Sequence, residues 1–399
     1  MPPSIFISAG EASGEHYGAL LVALLKEQLA EAGLSASFWG MGGPRMKVEG
    51  LEPVVRSEEM AVMGLTEVIR HLPRIWREFR RLKRAIRERR PAVAILIDFP
   101  EIHFRLAKIF HRLGIPVIFF VSPQLWAWKQ HRIKLVERYV DRMLVIFPFE
   151  QEFYRSRGIA AEFVGHPLAE MPLPSITREE VAARHSLDCR REWVGVLPGS
   201  RPREIADHLA EMLGAARLLH QQKPREFLVP LAPTLTSEQR AEVRRIVLEA
   251  GKDLPVHLVD DARAVLHHAR ASIVASGTAT VEAALIGNPF VVIYHVSPLT
   301  YWLAKRMVKV QYVAMANLIA GRMIVPELLQ DDFQAAKIVQ AIGPLLEEGA
   351  ARAQMLAELG ELHHSLESPA AREGGKKDRN AIGRVAEVAL ELMTGSKLA

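Results

Sequence analysis

The sequence predicts an α/β protein made of two Rossmann-like domains. Short apolar runs alternate with amphipathic helical patterns, and the whole alternation restarts after a proline-rich break. A chain of 399 residues exceeds one ordinary core and suits two domains.

In the first half, the strand candidates are Ile5–Ala9, Ser37–Gly40, Ala92–Asp98, Pro116–Val121, Met143–Phe147 and Glu162–Val164, with helical patterns such as His16–Ala32 and Glu101–Leu113 between them. Ala92–Asp98 reads AVAILID, six apolar residues that suit a strand buried on both faces. Pro167–Pro174, with three prolines, reads as the linker. A second series follows: Trp193–Leu197, Glu226–Leu231, Val256–Val259, Ala271–Ala275 and Phe290–Tyr294. After Pro298 the pattern is mostly helical, Ser368–Asn380 reads as an exposed connection, and Ala381–Met393 as a last helix. The domains expected are 1–170, 171–345 and a helical tail 346–399 that needs an apolar surface, on the first domain or on another subunit.

Composition narrows the function. With 49% hydrophobic and 24% charged residues, the chain is of ordinary globular type. A single cysteine, Cys189, excludes an internal disulfide framework and suits a reducing compartment. The N-terminus lacks a basic n-region and a signal-length apolar run, and no 18-residue stretch is apolar throughout, so a cytoplasmic location is expected. Ten Arg/Lys against two Glu between Arg70 and Arg90 make a local +8, which leaves −3 of the overall +5 for the rest. A nucleic-acid binder spreads its positive charge more widely, whereas an anionic membrane surface needs only a patch. Leu65, Val68, Leu72, Ile75, Phe79, Leu82 and Ile86 fall on one helical stripe beside Arg70, Arg74, Arg77, Arg81 and Arg84, with Trp76 next to them. This face either packs on the sheet with its arginines in solvent, or meets a lipid surface. Pro73 predicts a kink or a fresh start near Leu72.

Four motifs bear on chemistry. Asp98 closes a buried strand, where a catalytic base would stand in an open parallel sheet, or where an Asp caps the following helix. Gly10-Glu11-Ala12-Ser13-Gly14-Glu15 follows the first strand without the G-x-G-x-x-G spacing of dinucleotide sites. Ser13 is placed to cap the helix there, and Glu11 or Glu15 to bond sugar hydroxyls. Gly199-Ser200-Arg201 and Ser276-Gly277-Thr278 each follow a strand and open a helix, an arrangement that holds phosphate on backbone N–H groups; Glu282 lies about a turn further, near a ribose. Two such sites suit a nucleoside diphosphate. No P-loop, no Asp-x-Asp and no His/Cys cluster of metal spacing occurs, so no metal or other cofactor is expected.

AGEASG at Ala9–Gly14, AVMG at Ala61–Gly64, the Asp98 strand end, VSPQLWAW at Val121–Trp128, LPGSR at Leu197–Arg201, SGTATVEAAL at Ser276–Leu285, WLAKR at Trp302–Arg306, and NLIAGR with VPELLQ at Asn317–Gln330 occur in this order. Together they resemble the lipid-A-disaccharide synthase family, which reads Gly-Asp where this chain has Gly14-Glu15. The resemblance implies a GT-B glycosyltransferase whose two domains face across a cleft, with C-terminal helices that cross back or are exchanged within a homodimer. It implies UDP-2,3-diacylglucosamine as donor and 2,3-diacylglucosamine 1-phosphate as acceptor, drawn from the inner leaflet of the inner membrane. It also implies Asp98 as base and Glu11, Ser13, Gly199, Ser200, Arg201, Ser276, Gly277, Thr278, Glu282, Asn317 and Gln330 as substrate contacts. Acylated, anionic substrates in turn favour the lipid-surface use of the basic helix, with Arg74, Trp76, Arg77, Phe79, Arg81 and Arg84 as membrane contacts. Two alternatives stay open: another UDP-GlcNAc enzyme (a transferase for a different lipid, or a 2-epimerase), and a UDP-sugar-binding protein without catalysis.

Overall fold

The computed structural model describes residues 3–60, 65–297, 311–373 and 380–395. Ala61–Gly64, Trp302–Arg306 and residues 374–379 of the Ser368–Asn380 connection lie outside the described residues. The chain divides into two compact units, Met1–Glu170 with Leu366–Ala399, and Met171–Ser365.

In the first unit the strands are β1 Ser4–Ala9, β2 Ser37–Gly42, β3 Glu52–Arg56, β4 Val93–Ile97, β5 Val117–Phe120, β6 Arg142–Val145 and β7 Ala161–Phe163. The helices are α1 Ala12–Glu31, α2 Pro44–Val48, α3 Ser57–Met60, α4 Leu65–Arg89, α5 Pro100–Arg112, α6 Ile133–Tyr139 and α7 Pro148–Arg155. All strand pairs are parallel, in the order β3-β2-β1-β4-β5-β6-β7. The order reverses between β1 and β4. In an open parallel sheet this switch point, at the carboxyl ends of the strands, is where ligands bind. Ala9 pairs with Ile97, so the loops after β1 and β4 open side by side. Val93–Ile97 is wholly buried, as its unbroken apolar run requires.

The second unit repeats the plan. Its strands are β8 Glu192–Leu197, β9 Arg225–Pro230, β10 Val256–Val259, β11 Ala271–Ala275, β12 Phe290–Tyr294 and β13 Glu327–Leu329. Its first helices are α8 Arg178–His185, α9 Pro202–Gln222, α10 Ser237–Ala250, α11 Ala262–His268 and α12 Thr278–Ile286. The strand order is β10-β9-β8-β11-β12-β13, again parallel, and the switch point lies between β8 and β11. The two phosphate-type loops, after Leu197 and after Ala275, follow these two strands.

The architecture departs from the sequence reading in a few places. The edge strands β3 and β13 were not expected: one carries Pro53, which edges tolerate, and the other is three residues long. One helix runs through Pro73 from Leu65 to Arg89, so no fresh start occurs at Leu72. An interior proline costs about 3 kcal/mol; beyond it Leu82 and Ile86 are fully buried, at roughly 1.5–3 kcal/mol each. The helix Ala350–Leu366 belongs to the second unit rather than to a separate tail. There Arg352 donates to the carbonyl oxygens of Arg270 and Leu345, and the His363 ring bonds that of Leu285. Of the C-terminal helices, Pro369–Arg372 and Ala381–Thr394 fall in the first unit, and Ala381–Thr394 packs on α1 of its own chain. The Glu170 carboxylate accepts the Ala381 N–H at 2.7 Å, and Arg384 pairs with Glu162 at 2.6 Å.

Candidate active site

Asp98 stands in the loop after β4 with φ +54°, and Phe99 beside it also has φ +54°. Left-handed backbone at non-glycine residues is sparsely populated and concentrates at functional sites. Val121, after β5, and Gln330, after β13, share the feature with φ +63° and +51°. The Asp98 carboxylate accepts the Phe99 N–H at 2.8 Å, a bond to its own neighbour rather than a cap further into the helix. Burial pushes the Asp98 carboxyl up to about 7, and the negative charges of Glu11 and, more weakly, Glu101 act in the same direction; the Phe99 N–H opposes them. A carboxylate poised there suits proton abstraction near neutral pH.

Beneath Asp98 lies a residue that the sequence reading did not single out. His103, on the first turn of α5, is fully buried, and its Nδ1 bonds the backbone oxygen of Asp98. Its Nε2 lies 2.8 Å from the Ser8 hydroxyl on β1. The only sequence signal is its place five residues after Asp98, where a helix start brings it back under the strand end.

The loop after β1 completes this side. Gly10 leaves room for the Phe99 ring; a Cβ there would lie 2.3 Å from Cγ of Phe99. Helix α1 starts at Ala12 with Glu11 at the cap and no side chain bonded to the free N–H groups, so Ser13 sits inside the first turn and does not cap it. Glu11 is exposed and Ser13 half-buried. Glu15, by contrast, is buried, and one of its oxygens accepts the N–H groups of Arg45 and Met46 at 2.6 and 3.2 Å. It caps α2, which gives it a structural task. The VSPQLWAW segment after β5 is pinned from below by buried Glu150, which accepts from Trp126 Nε1 at 3.2 Å and from the Phe147 N–H at 3.2 Å. Burial pushes the Glu150 carboxyl up to about 8.

In the second unit, Gly199 adopts φ +118°, and Ser200 and Arg201 stand exposed at the start of α9. The Arg201 guanidinium is 3.0 Å from Glu204. Gly277 and Thr278 are exposed at the start of α12, and the Ser276 hydroxyl bonds the Val313 oxygen at 3.4 Å. Glu282 is raised by burial, an effect that Arg263, 3.6 Å away, opposes. His208, unnoticed in the sequence, ties two loops together from α9: Nδ1 bonds the Pro198 oxygen at 2.9 Å, and Nε2 faces the His295 backbone at 3.1 Å. Gln330 bonds both the N–H and the oxygen of Val296, at 2.8 and 2.9 Å.

Asn317 differs from expectation. It is fully buried, and its amide is spent on the protein: Nδ2 donates to Val325 O and Glu327, and Oδ1 accepts from Ile324 and Val325. A side chain with its four bonds satisfied this way shapes the loop before β13 rather than touching a ligand. Phe79 likewise packs against the core of the first unit, on the stripe of Leu82 and Ile86, whereas Trp76 is 54% exposed with the Arg80 guanidinium stacked on it at 3.4 Å. Arg74, Arg77, Arg81 and Arg84 are exposed. Among the described residues no group of three or more His, Cys, Asp or Glu is arranged to hold a metal, and no helix is long and apolar enough to cross a membrane.

Residues 5–373 match the family model described as lipid-A-disaccharide synthetase. The lipid-A-disaccharide synthase of Acidobacterium capsulatum is 56% identical to this chain, covering 98% of it and 96% of the relative. That of Koribacter versatilis is 46% identical, covering 97% and 98%. Among solved structures, the UDP-GlcNAc 2-epimerase of Neisseria meningitidis bound to UDP-GlcNAc superposes with a TM-score of 0.60 at 11% identity, covering 99% of this chain and 100% of the other. The calicheamicin glycosyltransferase does so with 0.57 at 16%, covering 99% of each. At such identities the structural likeness carries the fold alone, two parallel-sheet units of GT-B type.

Proposed function

This chain belongs to the lipid-A-disaccharide synthase family and is a hexosyltransferase, and from that premise we propose that it joins UDP-2,3-diacylglucosamine to 2,3-diacylglucosamine 1-phosphate, inverting the anomeric centre in one displacement. The observation that carries the reading is Asp98, a partly desolvated carboxylate on a left-handed turn at the switch point of the first sheet. In the step, the acceptor's 6-hydroxyl oxygen forms a bond to C1 of the donor sugar. Its proton passes to the Asp98 carboxylate as the bond from C1 to the phosphate oxygen breaks, and UDP leaves with the electron pair. A positioned base contributes typically ~10²–10⁴-fold.

The second unit holds the donor. The diphosphate lies on the N–H groups of Gly199-Ser200 and Gly277-Thr278, where helix starts favour negative charge. Arg201 exchanges Glu204 for a phosphate oxygen and, with the loops, stabilises the charge that builds on the leaving UDP. Glu282 accepts from ribose hydroxyls, Ser276 supports the loop, and Asn317 and Gln330 hold the surrounding backbone in place. Glu11 and Ser13 contact the acceptor in the first unit. The exposed basic face of α4 rests on the anionic inner leaflet, from which both acylated substrates come.

The test is UDP release with and without acceptor, for the native chain and Asp98→Asn. The expected result is acceptor-dependent release that falls ~10²–10⁴-fold in the variant, with UDP affinity by calorimetry unchanged. Turnover that ignores the acceptor would instead point to epimerase or hydrolase chemistry.

A further inference from the structure

We propose that His103, held by Ser8, is the positioning residue that keeps Asp98 on its left-handed turn and so aims the base. The inference rests on the reading of Asp98 given above.

The geometry fixes the hydrogen-bond direction. The backbone oxygen of Asp98 can only accept, so His103 Nδ1 carries the proton and donates it. Nε2 is then the bare nitrogen, and the Ser8 hydroxyl donates to it across 2.8 Å. A neutral ring is required for that arrangement. Burial supplies it by holding the imidazole down to about 3. The ring stands edge-on to Phe99 at 5.9 Å and to Phe119 at 6.0 Å, so β1, β5 and the turn itself enclose it.

The position calls for such a clamp. Two successive non-glycine residues, Asp98 and Phe99, sit at φ +54°. Strain of this kind costs on the order of 1–3 kcal/mol per residue and persists only where neighbours over-determine it. Five contacts do so here: the Phe99 N–H on the Asp98 carboxylate, the Phe99 ring against Gly10, the Asp98 N–H on the Phe120 oxygen at 3.0 Å, the His103 N–H on the Phe99 oxygen at 3.2 Å, and the His103 ring on the Asp98 carbonyl. The Phe120 oxygen on β5 fixes the N–H of Asp98, and the His103 ring is what holds its carbonyl. If the turn relaxed to ordinary backbone, the carboxylate would leave its desolvated place beside Glu11 and Glu101, the charged groups that face it.

The side-chain amides of Asn and Gln separate positioning from packing. In His103→Asn, the amide nitrogen falls where Nδ1 was and still donates to Asp98 O. In His103→Gln, it falls where Nε2 was, near Ser8, and the clamp on Asp98 is lost. The experiment measures kcat and KM for UDP-2,3-diacylglucosamine with saturating acceptor across pH 5–9, together with UDP affinity, for both variants, for Ser8→Ala and for Asp98→Asn. The expected pattern is kcat within about threefold of native for His103→Asn and lower by about 10²-fold for His103→Gln. In His103→Gln, KM and UDP affinity hold while the acid limb of the rate moves to lower pH as the carboxylate gains water. Ser8→Ala, which leaves Nε2 without its donor, moves the limb in the same direction and decides the matter if His103→Gln does not fold.

Equal losses in the Asn and Gln variants, or an unmoved limb in both His103→Gln and Ser8→Ala, would overturn the inference while Asp98→Asn remained inactive. An active Asp98→Asn would remove the base itself, and the clamp's purpose with it.

Discussion

With Asp98 as the proposed base, the reaction is expected to depend on pH in a definite direction. The ionised carboxylate is the form that takes the proton, and its carboxyl is raised to about 7 chiefly by burial. Below that value the site is protonated, so kcat/KM is expected to rise with pH through about 7 and then level. A profile already flat by pH 5 would place the base elsewhere. Gly10 gives a second single-residue expectation. A methyl group there meets Cγ, Cδ1 and Cβ of Phe99, the last at 2.8 Å, and the base of a side chain moves only with its backbone. Gly10→Ala is expected to lower stability by about 1–3 kcal/mol in urea unfolding and to lose activity through Asp98. At this scale the sequence is partly legible. A carboxylate at the end of a buried run is visible because a charge there is tolerable only at the rim. His103, His208 and the inward turn of Asn317 are not, because each depends on backbone groups brought close by tertiary folding, and no local pattern encodes a carbonyl contact.

Helix α4 is legible as an element and ambiguous in use. The apolar stripe of its described side chains marks a packed face, Ile75, Phe79, Leu82 and Ile86 turning to the core, while the side chains of Leu65, Val68 and Leu72 lie outside the described residues. That leaves Trp76, capped by Arg80, and the exposed arginines facing outward. The only carboxylate between Arg74 and Arg87, Glu78, is itself buried and shared by Arg77 at 3.0 Å and Arg81 at 3.7 Å, so the outer face is almost purely cationic. Near an anionic bilayer each such charge contributes about 1 kcal/mol. Replacing Arg74, Arg81 and Arg84 with Gln is therefore expected to weaken binding to phosphatidylglycerol vesicles by roughly 10²-fold in co-sedimentation, and to flatten its salt dependence. Vesicle binding that stays as strong and as salt-sensitive would assign the arginines to solvent alone. The two strands that escaped the sequence, β3 and β13, are edges. An edge pairs on one side only and needs no continuous apolar run; β7 and β10, the other two edges, still show as Glu162–Val164 and Val256–Val259, whereas Pro53 interrupts β3 and β13 spans only three residues.

The chain enters the first unit, leaves it at Glu170 and returns to it after Ser365. This return shows in the sequence only as a trailing amphipathic helix that needs a surface; which surface it takes is a matter of which apolar face lies open, here that of α1. The helix contributes Ile382, Val385, Val388 and Leu390 to the first unit's core, all buried. Four aliphatic side chains at about 1.5–3 kcal/mol each amount to roughly 6–12 kcal/mol as an upper estimate, comparable with the roughly 5–15 kcal/mol that holds a whole domain folded. The second unit is built from Met171–Ser365. A chain truncated after Ser365 is thus expected to lose the first unit and keep the second. Limited proteolysis should leave a resistant fragment starting near residue 171, UDP affinity should persist on it, and acceptor-dependent turnover should vanish. If the truncated chain unfolds in one transition at the native midpoint, the helix is peripheral. If both units are lost together, they form a single cooperative unit despite their separate sheets.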